Sequence, residues 1–142
     1  MKPLLTRENT RQTVLVIAAH ADDEAMGCSG TLARHIAEGD DVHFLFLSDG
    51  VTSRKNEISD SAVEAETDER RKMCRKAVDS IGGCPPTFLN FPDNRMDGVE
   101  LLTLIKPIEA LIGSLQPNLV YTNHANDLNV DHRVTHMAVL TA

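Results

Sequence analysis

Two short segments of this 142-residue chain are apolar at nearly every position, and they restrict the fold more than any other feature. They are residues 13–19, which read TVLVIAA, and residues 42–47, which read VHFLFL. A strand that is covered on one face alternates apolar and polar residues, whereas a strand covered on both faces is apolar throughout. The two segments therefore predict buried strands of a parallel sheet that has helices on both faces.

Strand and helix patterns alternate along the rest of the chain. Two further strands are predicted over residues 87–90 and 118–123, and helices over 27–38, 62–81, 99–115 and 131–141. Pro107 lies inside the third helix, where a proline costs about 3 kcal/mol, so we expect a kink or two abutting helices there. The order βαβαβαβα predicts a three-layer α/β fold with right-handed crossovers and a mostly parallel sheet of strand order 3-2-1-4.

Composition narrows the functional classes. The formal charge of −7 argues against a nucleic-acid surface, which needs concentrated Lys and Arg. No run approaches the roughly 18 apolar residues of a membrane span, and residues 1–12 lack the apolar stretch of a secretion signal. Three widely spaced cysteines without a CxxC motif are typical of reduced thiols in a cytoplasmic protein. The length suits a single domain over residues 1–142.

Polar residues follow the first and fourth predicted strands at the point where each strand ends. Residues 20–24 read HADDE and residues 129–132 read NVDH. Strands one and four are neighbours in the order 3-2-1-4, so both clusters lie at the switch point where open α/β sheets build ligand sites. Imidazole nitrogens and carboxylate oxygens are ligands of zinc, and a catalytic zinc site keeps three protein ligands and a position for water. The sequence therefore predicts a divalent-metal hydrolase, although spacing alone leaves open which acid binds metal and which takes a proton.

Each cluster also has a simpler interpretation. The acids of residues 22–24 can cap the first helix, and Asp131 can cap the last one, with His132 as a surface histidine. A receiver-like signalling domain is the alternative function, because it also places paired acids after strand one to hold magnesium near a phosphoacceptor, here Asp93. That alternative leaves both histidines without a role. Residues 48–61 are polar and aperiodic, which suits either a substrate loop or a plain connection.

Five short motifs carry a family resemblance. Residues 20–24 (HADDE) and 27–31 (GCSGT) match an AHPDDE…GCGGT signature, and weaker matches follow at 46–50 (FLSDG), 91–93 (FPD) and 131–133 (DHR). On these motifs the chain resembles the LmbE-like (PIG-L) de-N-acetylases over nearly its whole length. The resemblance implies a Rossmann-like fold and removal of acetyl groups from N-acetylglucosamine-type amino sugars, usually with zinc.

The resemblance also implies residue roles. It makes His20, Asp23 and His132 the ligands of Zn²⁺, with Fe²⁺ as the alternative metal, and Asp22 the general base. Asn129 stands where many relatives have His. An Asn amide can donate a hydrogen bond to an oxyanion but cannot deliver a proton, so Asp22 would have to return the proton to the leaving amine.

Four further residues are expected to contact the substrate. Arg70 occupies the region where the family tends to place a substrate-binding Arg, although it could instead pair with Glu66 on the surface. Asp93 matches a polar position near the sugar, and Asp131 belongs to the DHR match. His124 lies just beyond strand four, where it can line the pocket.

The relatives usually continue well past the last predicted helix, whereas this sequence stops at Ala142. We therefore expect a C-terminally shortened domain that lacks a fifth strand and part of the substrate wall. Strand four would then be an unpaired edge, and such an edge invites association into homo-oligomers. The expected partner is a small N-acetyl sugar conjugate.

Overall fold

A computed structural model describes residues 10–53 and 60–142. Its four strands are β1 (Thr13–Ala18), β2 (Asp41–Ser48), β3 (Thr87–Phe91) and β4 (Leu119–Thr122). All pairings are parallel, and the strand order is β3-β2-β1-β4, as predicted. The switch point between β1 and β4 is therefore present, and both polar clusters follow these two strands.

The helices alternate with the strands. They are α1 (Asp23–Gly27), α2 (Ser29–Ala37), α3 (Asp60–Ile81), α4 (Leu101–Leu115) and α5 (Val130–Thr141), with a short 3₁₀ turn at Met96–Gly98. Among the described residues, no helix is both long and apolar enough to cross a membrane. The three cysteines are free thiols, and burial raises the pKa of the Cys74 thiol to about 12.

The apolar runs are explained by a sheet that is covered on both faces. Along β1, Leu15 and Ile17 point into a core shared with α4 and α5, while Val14 and Val16 point into a second core. The second core is completed by α2 and α3, which contribute side chains such as Leu32. Because neighbouring side chains of a strand face opposite sides, both sets must be apolar. The predicted three-layer α/β architecture is confirmed.

Two helix predictions were wrong in detail. The helix predicted over residues 27–38 is split at Cys28, whose φ of −148° and ψ of 12° are not helical, and a separate helix α1 begins earlier at Asp23. Helix α1 contains acids and has no stripe of apolar residues at helical spacing, so the hydrophobic pattern of the sequence does not reveal this helix. At Pro107, where we expected a kink or two abutting helices, α4 runs as one helix from Leu101 to Leu115, so the second of these alternatives is wrong. Burial of three α4 side chains, at about 1.5–3 kcal/mol each, offsets a cost of about 3 kcal/mol for the proline.

The polar segment predicted over residues 48–61 is only partly described, because residues 54–59 lie outside the described residues, as do residues 1–9 of the N-terminal segment. Its first part folds against the loop after β3. The Thr52 hydroxyl accepts a hydrogen bond from the Asp93 backbone N–H at 3.0 Å, and the Ser53 hydroxyl donates to the Asp93 carboxylate. These contacts join the loop after β2 to the loop after β3.

Candidate active site

Three predicted ligand residues converge where β1 and β4 end. Single ligand atoms of His20, Asp23 and His132 all lie within 4.8 Å of one another. The His20 Nδ1 atom is 3.2 Å from His132 Nε2, and His132 Nε2 is 3.2 Å from Asp23 Oδ1. Two imidazole nitrogens and one carboxylate oxygen are a donor set that suits a catalytic zinc site with a free fourth position.

Each of these histidines contacts a further carboxylate through its other ring nitrogen. His20 Nε2 is 3.2 Å from Asp131 Oδ2, and His132 Nδ1 is 3.1 Å from Asp127 Oδ2. A carboxylate that accepts a hydrogen bond from one ring nitrogen fixes the tautomer and leaves the other nitrogen as a metal ligand. The two nitrogens left over, His20 Nδ1 and His132 Nε2, are those that face each other. The donor set therefore fits a divalent cation.

A second group of possible ligands shares His20. Its Nε2 atom is 3.1 Å from Asp93 Oδ1, so His20, Asp93 and Asp131 also lie within 4.8 Å of one another. However, both oxygens of Asp131 already accept backbone hydrogen bonds, from Asn94 at 2.6 Å and from Met96 at 3.0 Å. These bonds suit a structural carboxylate more than a metal ligand, so we favour the group formed by His20, Asp23 and His132.

The buried charges of the site shift one another's pKa values. Burial lowers the pKa of His20, but its hydrogen bond to Asp131 and the nearby carboxylate of Asp23 raise it more, to about 10. Burial raises the pKa of Asp23, but the hydrogen bond to His20 and further contacts lower it below its usual value. In the metal-free protein His20 is therefore an imidazolium between carboxylates, and a cation that binds at Nδ1 must displace a proton.

Asn123 was not predicted from the sequence. Its side-chain NH₂ donates to Asp23 Oδ2 at 3.0 Å, and its side-chain oxygen accepts the Ala19 N–H at 2.9 Å. The His20 backbone N–H also donates to Asp23 Oδ2 at 2.9 Å. Asn123 therefore connects β4 to the loop after β1 and orients the carboxylate of Asp23. Its position as the last residue of the predicted fourth strand was the one available signal.

The structure places Arg70 beside the predicted base. Arg70 Nη2 on α3 is 3.7 Å from Asp22 Oδ2, and both side chains are partly exposed. The Arg70 guanidinium crosses over Gly50, where an added Cβ atom would lie 3.1 Å from Arg70 Nε. Gly50 also has a φ of +72°, which favours glycine. A charged pair thus lies at the edge of the ligand cluster.

Asp131, which we expected to contact the substrate, is enclosed by protein groups, and its contact with the substrate stays a prediction. Asp131 is fully buried, and its carboxylate accepts hydrogen bonds from two backbone N–H groups and approaches His20. It acts on the site through His20. The cap of α5 is instead Asn129, whose side-chain oxygen accepts the Asp131 N–H at 2.9 Å. This bond leaves the amide NH₂ of Asn129 as the group that a ligand can meet.

Two cavities meet at the ligand cluster, and Asp23, Met26 and His132 line both. The smaller one, of about 200 Å³, is lined by polar residues that include Asp22, Arg70, Asp93 and Asn129. The larger one, of about 370 Å³, extends between α1 and β4, and the exposed His124 lies at its wall. The structure thus places His124 away from the other predicted substrate contacts. Both cavities are accessible to a small molecule.

The position of Asp93 disfavours the receiver-like alternative. Its side chain is buried, 3.1 Å from His20 and hydrogen-bonded to Ser53. A phosphoacceptor needs a carboxylate that is free to attack, whereas the two oxygens of Asp93 are already engaged by His20 and Ser53.

Comparison with known proteins agrees with the motifs. Residues 15–142 match the family model described as PIG-L, GlcNAc-PI de-N-acetylase. The chain is 30% identical over 145 residues to the uncharacterized deacetylase YaiS of Escherichia coli, covering 98% of this chain and 72% of that protein. It is 27% identical over 161 residues to 1D-myo-inositol 2-acetamido-2-deoxy-alpha-D-glucopyranoside deacetylase of Rhodococcus jostii, covering 94% of this chain and 55% of that protein.

A solved structure supports the fold. The N,N'-diacetylchitobiose deacetylase of Pyrococcus horikoshii superposes with a TM-score of 0.76 at 22% identity, covering 92% of this chain and 48% of that one. At that identity the likeness shows the shared α/β architecture alone. The chain thus spans about half the length of the chitobiose and inositol enzymes and nearly three quarters of YaiS.

Proposed function

The chain belongs to the PIG-L (LmbE-like) family, and from that premise we propose that it is a metal-dependent hydrolase that removes the acetyl group from an N-acetylated amino sugar conjugate. The observation that carries the proposal is the convergence of His20, Asp23 and His132 beside an exposed carboxylate, Asp22. The names of the relatives, which include sugar deacetylases, support the substrate class. Zn²⁺ is the preferred metal, with Fe²⁺ as the alternative, and we expect a cytoplasmic protein.

Different residues of the chain perform different steps of the proposed reaction. A bound divalent cation would polarise the acyl carbonyl and lower the pKa of a water molecule towards about 7. Asp22 takes a proton from the attacking water and later returns it to the leaving amine. Asn129 donates a hydrogen bond from its amide to the developing oxyanion, and Arg70 holds the carboxylate of Asp22 in place. The products are a carboxylate and a free amine.

The substrate contacts follow from the smaller cavity. Arg70, Asp93 and Asn129 surround it, and all three offer hydrogen bonds to a sugar hydroxyl. Asp93 presents one oxygen near His20 and receives a hydrogen bond from Ser53 on the other. The sugar therefore lies in the polar cavity, with its nitrogen towards Asp22. His124 lines the other cavity and is not part of this contact set.

The first test combines metal analysis with turnover. The purified protein is expected to carry a divalent metal and to release acetate from at least one member of a panel of N-acetylated amino sugars. Asp22→Asn should keep the metal and lower kcat by about 100-fold or more, since general base catalysis contributes about 10²–10⁴-fold. His132→Ala should lose the metal.

The matched control is Asp79→Asn, which removes an exposed carboxylate of α3 and should change neither metal content nor kcat. A fully active Asp22→Asn enzyme would show that another group is the base. Acetate release that persists in His132→Ala without metal would refute the metal site itself.

A further inference from the structure

The ligand cluster lies between two cavities of different chemistry. The smaller cavity contains Asp22 and Arg70, whereas the larger one has, besides polar residues such as Glu24 and His124, an apolar wall that includes Cys28 and Tyr121. Met26 is 79% exposed and borders both cavities, and a thioether side chain adapts to ligands of different shape. A molecule that binds across the cluster therefore has a polar end and an apolar end.

The geometry of an amide sets the direction of such a molecule. The amide bond is planar and trans, so the substituents of the carbonyl carbon and of the nitrogen extend in opposite directions. The nitrogen must lie near Asp22, because that carboxylate returns the proton to the amine. The acyl substituent then points away from Asp22 and past Asp23 and His132, towards the larger cavity.

The larger cavity exceeds the needs of an acetyl group. Its volume of about 370 Å³ lies within the roughly 300–1,000 Å³ of small-molecule pockets, whereas acetyl would bring a single methyl group into it. When a ligand covers an apolar wall that is otherwise in contact with water, binding becomes more favourable. The gain is about 0.8 kcal/mol for each buried CH₂, or about fourfold in affinity.

Resting on the function proposed above, we propose that the larger cavity is an acyl-chain subsite and that the enzyme hydrolyses N-acyl amino sugars whose straight acyl chain is longer than acetyl. The reaction is the same hydrolysis. Water adds to the acyl carbon, the C–N bond breaks, and the products are a fatty carboxylate and the free amine, which takes up the proton held by Asp22. The chain length that fits is set by the space between α1 and β4.

The test is a series of N-acetyl-, N-butyryl- and N-hexanoylglucosamine with the metal-loaded protein. We expect kcat/KM to stay level or to rise by up to about fourfold for each added methylene. Gly27 lies at the wall of the larger cavity, and a Cβ atom there would meet no atom within 4 Å, so Gly27→Leu adds bulk at this wall from an unobstructed Cβ atom. This variant should lower the hexanoyl-to-acetyl ratio of kcat/KM at least tenfold.

Gly30→Leu is the matched control. Gly30 is also helical and has equally open surroundings, but it does not line the cavity, so the hexanoyl-to-acetyl ratio should not change. A binding experiment adds a readout that is independent of turnover. Calorimetry on the metal-free protein should give a more negative heat-capacity change for N-hexanoyl- than for N-acetylglucosamine, since burial of apolar surface has that signature.

The outcomes separate this inference from the proposed function. If the acetyl substrate is hydrolysed and kcat/KM falls with each added methylene, the acyl subsite is wrong while the deacetylase function stands. A hexanoyl-to-acetyl ratio that is equal in Gly27→Leu and the unaltered protein would also overturn the subsite. If no acyl group is released from any substrate, the proposed function fails and the inference fails with it.

Discussion

At the scale of single residues, each histidine of the site contacts a carboxylate through the ring nitrogen that faces away from the ligand cluster. Asp131 is fully buried and has 3.2 Å between its Oδ2 and His20 Nε2, whereas Asp127 is 40% exposed and contacts His132 at 3.1 Å. Each carboxylate fixes which nitrogen of its histidine is free to bind a cation. Both carboxylates also accept backbone hydrogen bonds, but Asp131 accepts two of them, from Asn94 and Met96, at a fully buried position, whereas Asp127 accepts one, from Asn129, at an exposed position.

That difference predicts different effects of the same substitution. Asp131→Asn would place an NH₂ group against donors and should lower the free energy of unfolding by about 1–3 kcal/mol as well as weakening metal binding about 10–100-fold. Asp127→Asn should weaken metal binding over a similar range with little loss of stability. Urea unfolding and a competition titration with a chelator measure the two quantities. Equal stability of both variants would contradict the role assigned to the buried carboxylate.

The raised pKa of His20 predicts how the metal-free protein responds to pH. The folded state holds the proton up to about pH 10, whereas the unfolded chain loses it near pH 6.5. The stabilising contribution is therefore complete below pH 6.5 and declines as pH rises towards 10. The Tm of chelator-treated protein should fall as pH rises from 6.5 to 8.5. This range lies below the pH at which cysteine thiols usually titrate.

The metal-loaded protein is the comparison for that experiment, since its His20 is already deprotonated. It should show no such decline, and metal binding should tighten as pH rises because the cation displaces a proton. A metal-free Tm that does not change between pH 6.5 and 8.5 would mean that the imidazole is not held as the cation.

At the scale of elements, a glycine in the loop between β2 and α3 leaves the space in which the charged side chain of a site residue lies. Gly50→Ala would force an L residue to a φ of +72° and bring its Cβ to 3.1 Å from Arg70 Nε. Gly39→Ala has the same backbone problem, with a φ of +89°, but its Cβ would meet nothing within 4 Å. Both should lose about 1–3 kcal/mol of stability, whereas Gly50→Ala alone should lower kcat/KM. A loss of kcat/KM in both would point to a general effect of the strain.

The elements themselves were largely predictable, since the four strands and the order 3-2-1-4 follow from apolar runs and from the chirality of the connections. The site was predictable only where side chains follow strand ends in sequence, as with His20 and Asp23. Asn123 and Asp131 were not assigned their contacts because a hydrogen bond between residues about a hundred positions apart leaves no spacing pattern. Helix α1 was missed because its residues serve the site and carry no apolar stripe.

At the scale of the whole molecule, the ligand cluster joins the two ends of the described chain. Asp23 and His20 follow the first strand, whereas His132 belongs to the last helix. Loading with Zn²⁺ at 100 times its Kd should stabilise the fold by about 2.7 kcal/mol and raise Tm by several degrees. Scanning calorimetry with and without the ion measures this shift, and His132→Asn should abolish it. A shift of equal size in that variant would place the ion elsewhere.

The sheet has one further property at this scale. Strand β4 pairs with β1 on one side, and within the described ranges no strand pairs with its other side. The predicted self-association through this edge stays a prediction.

The distance along the chain between the ligands has a consequence for synthesis in the cell. A ribosome releases His20 and Asp23 long before His132 is made, and the emerging chain then holds two donors that cannot enclose an ion on their own. If the proposed function holds, hydrolytic capacity therefore requires that α5, which carries His132, has docked on the sheet. Truncated products of translation that end before that helix are therefore expected to be inert towards amides, whatever metal the cell supplies.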